Sequence, residues 1–369
     1  MLKKVISLFL VLIFFAVLVI KFVDFRNLSP VYSFYKQDYL LNKTKYPPYI
    51  KGVYINSWSA ANSEKFNYLL DLIKTTELNA AVIDIKEVDG KVVFDTQSKL
   101  IDELGTEVVI VPNLKEVVER LHKENIYTIA RIVVFKDGFL SKIKPELALK
   151  NRQGGLWKDW AGRTWLDPAS KEVWDYHIEL AKEAIKIGFD EINFDYVRFP
   201  SDGDISQIIY PFWDNKKPKS EVIKDFFVYI RKNLNNFDVF ISADLFGLTL
   251  WRENDDMNIG QVLEYAVPYF DFICPMVYPS HYPEYFEGFK NPVLYPYEVI
   301  KLNLEKGLER IKGGRARLRP WLQDFDMGAN YDAEKIRQQK QAVYDTGAYG
   351  WLLWNPGSVY TKNGLEIEN

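Results

Sequence analysis

The sequence predicts an α/β protein of the (β/α)8 barrel class, preceded by an N-terminal transmembrane or signal segment. Three observations carry that prediction. Eight short β-rich runs alternate with amphipathic helical runs. The long connections leave strands and lead into helices, the side on which barrel proteins build their sites. A continuous apolar run stands apart near the amino terminus.

That run lies within residues 1–23. Lys3 and Lys4 precede VISLFLVLIFFAVLVI (5–20), and Lys21 follows. Sixteen residues rise about 24 Å as a helix, and Phe22, Val23 and a snorkelling Lys21 extend that reach. The run has no polar face, which argues against a buried soluble helix. No small-x-small cleavage site follows, so a single-pass membrane anchor is favoured over a cleaved signal peptide. Lys and Arg are balanced on its two sides and do not set its orientation. The expectation is a cell-membrane protein with its main domain outside the cytoplasm, or a secreted one if the segment is cleaved. Residues 24–50 read as a stalk ending in Tyr46-Pro47-Pro48, where paired prolines break helix.

The barrel is expected over 51–369. Its strands read, in order, as KGVYIN (51–56), AAVIDIKE (80–87), YTIARIVVF (127–135), EINFDYVRF (191–199), VFISADLFG (239–247), FICPMVYPS (272–280), RLRPWLQDF (317–325) and GWLLWNPGS (350–358). Helical periodicity covers 64–76, 113–125, 169–187, 220–234 and 331–346. Asp167-Pro168 reads as an N-cap and N1 proline, with Asn113 and Ser220 also at cap positions. A doubly wound open sheet is the alternative, disfavoured because no glycine-rich phosphate turn follows the first strand. Only eleven residues follow the eighth strand, too few for a full final helix. The outer ring is then incomplete, or another segment such as the stalk covers that side.

Composition narrows the partners. At 369 residues, 48% hydrophobic and 15% aromatic, the chain can bury a large core. Lys and Arg number 47 against 50 Asp and Glu, so no basic field recommends nucleic acid. Cys274, the single cysteine, excludes an internal disulfide and reads as a small buried hydrophobe. One thiol and three scattered histidines make no metal cluster, and neither metal nor cofactor is expected. The long loops 136–168, 200–219, 248–257 and 281–294 carry Trp157, Trp160, Trp165, Tyr210, Phe212, Trp213, Trp251, Tyr282, Tyr285 and Phe286. Such rings either stack on sugars or pack the loops onto the barrel.

Alternation in the strands separates helix-facing from barrel-facing positions. Ile192, Phe194 and Tyr196 form an outward apolar face, which sends Glu191, Asn193 and Asp195 inward. Ile83 and Ile85 face out, with Asp84 and Lys86 in. Ile241, Ala243 and Leu245 face out, with Ser242 and Asp244 in. Arg131 lies on a line with Ile129 and Val133, and later strands contribute Tyr278, Gln323 and Trp354. Buried acids need partners, and Lys86, Arg131 and Arg198 can supply them. A salt-bridge network closing the barrel top is one reading of this cluster. The other is chemical: two carboxylates in one cleft are what glycoside hydrolysis requires. Asp195 is then the nucleophile or base and Asp244 the acid, with Asp84 as competing second carboxylate. Asp84, Lys86, Arg131, Arg198, Tyr278, His281, Gln323 and Trp354 are candidate substrate-binding residues.

The motifs KGVY (51–54), VIDIKE (82–87), ARIVVFKD (130–137), INFDYVRFPSDG (192–203), ADLFG (243–247), PMVYPSHY (275–282), PWLQDF (320–325) and GWLLWN (350–355) resemble the putative glycosyl hydrolase domain family of bacterial envelope proteins. The resemblance implies a TIM barrel and a carbohydrate partner, a polysaccharide or cell-wall glycan. The fourth and fifth strands are distantly similar to α-amylase-like barrels, in which a fourth-strand Asp is nucleophile and a fifth-strand Glu is acid. Asp195 fits the first role, while Asp244 stands where Glu is expected. Against the substrate-assisted chitinase pattern D-x-x-D-x-D-x-E, Val197 replaces the proton-donating Glu, which argues against that mechanism. A non-catalytic glycan-binding barrel is the alternative function. A barrel for phosphorylated substrates is disfavoured, because Pro356-Gly357-Ser358 is a meagre phosphate turn.

Overall fold

The computed structural model describes residues 49–367. The apolar run and nearly all of the expected stalk lie outside the described residues. The chain separates into two units, Met1–Tyr46 and Pro47–Asn369, and the second carries the fold. Among the described residues no helix is long and apolar enough to cross a membrane.

Eight parallel strands close into a barrel: β1 (Ile50–Ile55), β2 (Ala80–Lys86), β3 (Tyr127–Val133), β4 (Glu191–Asp195), β5 (Phe240–Phe246), β6 (Phe272–Met276), β7 (Arg317–Leu318, resuming at Trp321–Gln323) and β8 (Gly350–Trp354). Each pairs with its sequence neighbours, and β8 returns to β1 with Lys51 opposite Trp351. The predicted closed barrel and its strand order are thus observed. Helices α1 (Ser63–Lys74), α2 (Leu114–Lys123), α3 (Lys171–Ile187), α4 (Lys219–Leu234), α5 (Leu263–Ala266), α6 (Pro296–Arg310) and α7 (Ala333–Thr346) surround it.

Alternation builds two cores. Ile83, Ile85, Ile192, Phe194, Ile241, Ala243 and Leu245 pack outward with helix residues such as Phe66 and Phe226. Tyr54, Val82, Ile129, Cys274, Trp321 and Leu352 fill the barrel interior. Cys274 is the buried hydrophobe its type suggests. Gly52 permits the close β1–β8 approach, since a Cβ there would stand 2.7 Å from Leu352 Cδ2.

Several boundaries depart from expectation. The fourth strand stops at Asp195 rather than 199, because Tyr196 adopts a left-handed φ of 54° that ends the extended run. The seventh is interrupted at Arg319-Pro320, where proline has no N–H to donate to the ladder. The N-cap of α3 is Ser170, whose Oγ accepts from Val173 N, not Asp167. Asp167 instead accepts from the backbone N–H groups of Ala169, Phe212 and Trp213, stitching two loops together. The same loops pair through an antiparallel bridge, Lys150–Asn151 with Ile208–Ile209. Helix α4 begins at Lys219, so Ser220 is not its cap. Asn113 occupies the α2 cap position without a side-chain cap bond.

No eighth ring helix follows β8 within the described residues. The chain from 355 to 367 packs there instead, burying Tyr360 and Leu365. Tyr360 Oη donates to the carbonyl of Tyr54, and Glu77 N donates to the carbonyl of Glu366 at 2.9 Å.

Candidate active site

The carboxyl ends of the strands surround a cleft of about 560 Å³, within the range of small-ligand sites. Its floor is built from strand-end residues. Asp195 closes β4, and the turn at Tyr196 brings that residue's own backbone N–H to Asp195 Oδ1 at 2.6 Å. Arg131 of β3 donates to Asp195 Oδ2 from both Nε (3.1 Å) and Nη2 (2.5 Å). Its Nη1 reaches Asp84 Oδ1 at 2.6 Å. Burial opposes the charge of Arg131, but Asp84 and Asp195 outweigh it and hold the guanidinium protonated.

Asp244 of β5 has a different environment. Its Oδ1 accepts from Asn193 Nδ2 and Trp321 Nε1, each at 2.8 Å. Its Oδ2 lies 3.9 Å from Arg131 Nε. Burial, with the charge of Asp195 beside it, pushes the Asp244 carboxyl well above the usual range. Since Oδ1 is occupied by two N–H donors, the proton belongs on Oδ2. One carboxyl paired with a guanidinium and another driven toward its acid form is the division that acid and nucleophile roles need.

The other predicted residues divide. Arg198, Tyr278, His281 and Trp354 line the cleft with Arg131, Asp195 and Asp244. Trp354 stacks on Tyr54 with ring centroids 4.0 Å apart, and the Arg131 guanidinium lies 4.9 Å from its ring. His281 Nδ1 bonds with Ser280 Oγ at 3.0 Å, and burial lowers its imidazole pKa. Burial first, then the charges of Asp244 and Asp195, keep the Tyr278 phenol un-ionised.

Asp84 is buried and does not line the cleft, since Arg131 fills one oxygen and Tyr54 Oη donates to the other at 2.5 Å. Lys86 does not face the barrel interior. The β2–β3 register shifts between Asp84 and Lys86, which turns Lys86 toward α3, 6.0 Å from the Tyr176 ring. There it pairs with Asp137 Oδ2 at 2.8 Å and donates to the carbonyl of Val133. A bulge of this kind re-aims a side chain without changing the sequence pattern. Gln323 is also outside the cleft lining. It accepts from Ser280 Oγ at 2.8 Å and donates to the carbonyl of Phe325, tying the β6 loop to β7.

The aromatics of the cleft are mostly not those of the long loops. Of the ten loop rings, Tyr282 alone is in the lining, while Trp157 and Trp165 are fully buried. The lining rings come from strand ends: Tyr196, Phe246, Tyr278, Trp321, Phe325 and Trp354. Trp321 shares alternation with Gln323, and Tyr54 stands between the outward Val53 and Ile55, so both were findable by parity. Tyr196 was not, because the alternation that placed it outward ends one residue earlier. Deeper in the barrel, Arg319 forms a two-pronged pair with Glu191; it shares alternation with Trp321 and Gln323 and was likewise findable by parity. Among the described residues no group of acids, His and Cys is arranged to hold a metal ion.

Fold and site together define a glycoside hydrolase-like barrel. The chain belongs to the family described as the putative glycosyl hydrolase domain, whose model matches residues 52–360. It is 41% identical to a hypothetical protein from Ruminiclostridium thermocellum ATCC 27405, over 52% of this chain and 96% of that one, with a TM-score of 0.48. The PgaB (BpsB) glycoside hydrolase domain from Bordetella bronchiseptica matches at 15% identity and TM-score 0.59, over 85% of this chain and 95% of that one. The α-galactosidase TtGalA from Thermus thermophilus matches at 14% identity and TM-score 0.53, over 88% of this chain and 62% of that one. The last two likenesses are of fold. No protein of curated function matches the chain in sequence.

Proposed function

We propose that the chain is a glycoside hydrolase that cleaves O-glycosyl bonds of a polysaccharide or cell-wall glycan, with Asp195 as nucleophile and Asp244 as acid. The observation that carries this reading is the unequal pair of carboxylates on adjacent strands, both facing Arg131 at the floor of the cleft. Asp244 Oδ2 protonates the glycosidic oxygen as Asp195 attacks the anomeric carbon. Asp244, then a base, deprotonates the water that releases the sugar from the Asp195 ester.

Distance supports retention of configuration. The two Oδ2 atoms lie 3.1 and 3.9 Å from the same Arg131 Nε, so their separation cannot exceed the sum of those legs. That bound removes most of the inverting range of about 6.5–9.5 Å and accommodates the retaining range of about 5–5.5 Å. The strand-end rings of the lining offer apolar surface for sugar rings.

Purified full chain, incubated with a panel of wall and capsular glycans, should release reducing sugar. Asp195→Asn should lower turnover by about 10²-fold or more while the protein remains folded by circular dichroism. Glycan binding that survives loss of both Asp195 and Asp244, with no turnover in the wild type, would select a non-catalytic glycan-binding barrel instead. The run 5–20 supports a place at the cell membrane with the barrel outside the cytoplasm. Protease accessibility of the barrel in intact cells, and its recovery with membranes, tests that placement.

A further inference from the structure

Four arginines are buried among the described residues: Arg131, Arg198, Arg231 and Arg319. Three of them have carboxylate partners. Arg131 holds Asp84 and Asp195, Arg231 holds Asp271, and Arg319 holds Glu191. Arg198 differs. It is 5% exposed and lines the cleft, yet no carboxylate lies within 4 Å of its guanidinium among the described residues. Nη1 donates to the Phe199 carbonyl at 3.0 Å and to Ser201 Oγ at 3.1 Å. Nε and Nη2 make no hydrogen bond within the described residues, and neither is sealed from the cleft as an unsatisfied buried atom.

The guanidinium is held in place by rings rather than by charges. Its central carbon lies 4.6 Å from the Phe246 ring centre, 4.9 Å from Trp165 and 5.1 Å from Tyr196. Such faces fix the plane of an arginine without neutralising it. Burial accordingly pulls the Arg198 pKa down, whereas ion pairs raise those of Arg131 and Arg319. Of the other cations of the lining, Arg131 is paired as above and Lys136 with Asp159 at 2.8 Å. A buried cation is ordinarily paired, and the one buried arginine without a carboxylate partner among the described residues lines the cleft.

We infer that the cleft takes an anionic glycan, whose carboxylate or sulfate group is bound by Nε and Nη2 of Arg198. This rests on the glycan-cleaving reading above and names its substrate class. A planar guanidinium with two adjacent free N–H donors matches a carboxylate or sulfate edge in a two-point contact.

The test uses the full chain, with inorganic sulfate as probe at constant ionic strength and tryptophan fluorescence as readout. Glucuronate and glucose 6-sulfate are run beside neutral glucose to separate carboxylate from sulfate recognition. Saturable quenching by sulfate and by at least one charged sugar is expected, weakened about 10- to 100-fold in Arg198→Met. Arg198→Lys, which keeps the charge, should recover part of the response even if Arg198→Met is unstable. Quenching that is absent in the wild type, or the same in wild type and both Arg198 variants, overturns the inference. So does cleavage of neutral glycans alone at a rate indifferent to Arg198→Met, an outcome that leaves the hydrolase reading intact. Anion binding that depends on Arg198 without turnover on any glycan supports the anion site and removes the hydrolase reading.

Discussion

Asp195 and Asp244 each turn an Oδ2 atom toward a single nitrogen, Nε of Arg131, at 3.1 and 3.9 Å. Asp195 receives a second bond from the same guanidinium and a third from the Tyr196 backbone. Asp244 receives neutral donors only, from Asn193 and Trp321. Two residues of one chemical type thus meet different surroundings, and those of Asp244 push its carboxyl well above the usual range.

The rate should depend on pH through Asp244. Its carboxyl is raised, so the acid form is present at low pH and is lost as pH rises through that value. The alkaline limb of kcat should report this loss. Asp244→Asn should remove that limb and lower kcat by about 10²–10⁴-fold, measured on a natural leaving group.

Stability should follow the same group. A folded pKa above the unfolded value near 3.9 means that Asp244 contributes most below about pH 4, and that this contribution is lost as pH rises through its folded value. Urea unfolding across that window should show wild-type stability declining more steeply with pH than that of Asp244→Asn.

Lys86→Met should destabilise the barrel without touching the cleft. It leaves Asp137 buried without its ion-pair partner, a loss of about 3–5 kcal/mol. Chemical unfolding should detect that loss, while KM for any cleaved glycan should stay within about twofold of wild type, since Lys86 is not in the cleft lining.

Glu77 should matter to closure of the ring. Its carboxylate binds Lys51 at 2.9 Å, Lys340, and the backbone N–H of Glu366 at 3.1 Å. Burial alone would raise its pKa, but the bonds from Lys340 and Lys51 outweigh it and lower it to about 2. Its contribution is therefore present above the unfolded value near 4.3 and lost as pH falls through about 2. Glu77→Gln should reduce stability by about 1–3 kcal/mol at neutral pH, because buried Lys340 then keeps only the exposed Glu366 carboxylate at 3.6 Å. Proteolysis of the segment after β8 should become faster in the same variant.

Much of the site was legible wherever a strand kept strict alternation. Asp195 and Asp244 could be placed inward because Ile192, Phe194, Ile241 and Ala243 mark the opposite face, and Arg131 lay on a line with Ile129 and Val133. Legibility failed where the backbone broke period. The bulge after Asp84 turned Lys86 outward, the left-handed Tyr196 turned inward, and Arg319-Pro320 split β7. Trp321 and Tyr54 obeyed alternation, but an aromatic ring in a strand does not distinguish a filler of the interior from a hydrogen-bond donor to a carboxyl.

By itself the sequence determined the barrel, its eight strands and the carboxyl-end placement of two inward acids, because hydrophobic period and loop length are local properties. Tertiary structure alone decided which acid is paired and which is driven toward its proton. It also decided which arginine meets a carboxylate and which faces the open cleft. Those outcomes depend on burial and on charges brought together from β3, β4, β5 and β7, and no spacing along the chain encodes a distance between side chains on different strands.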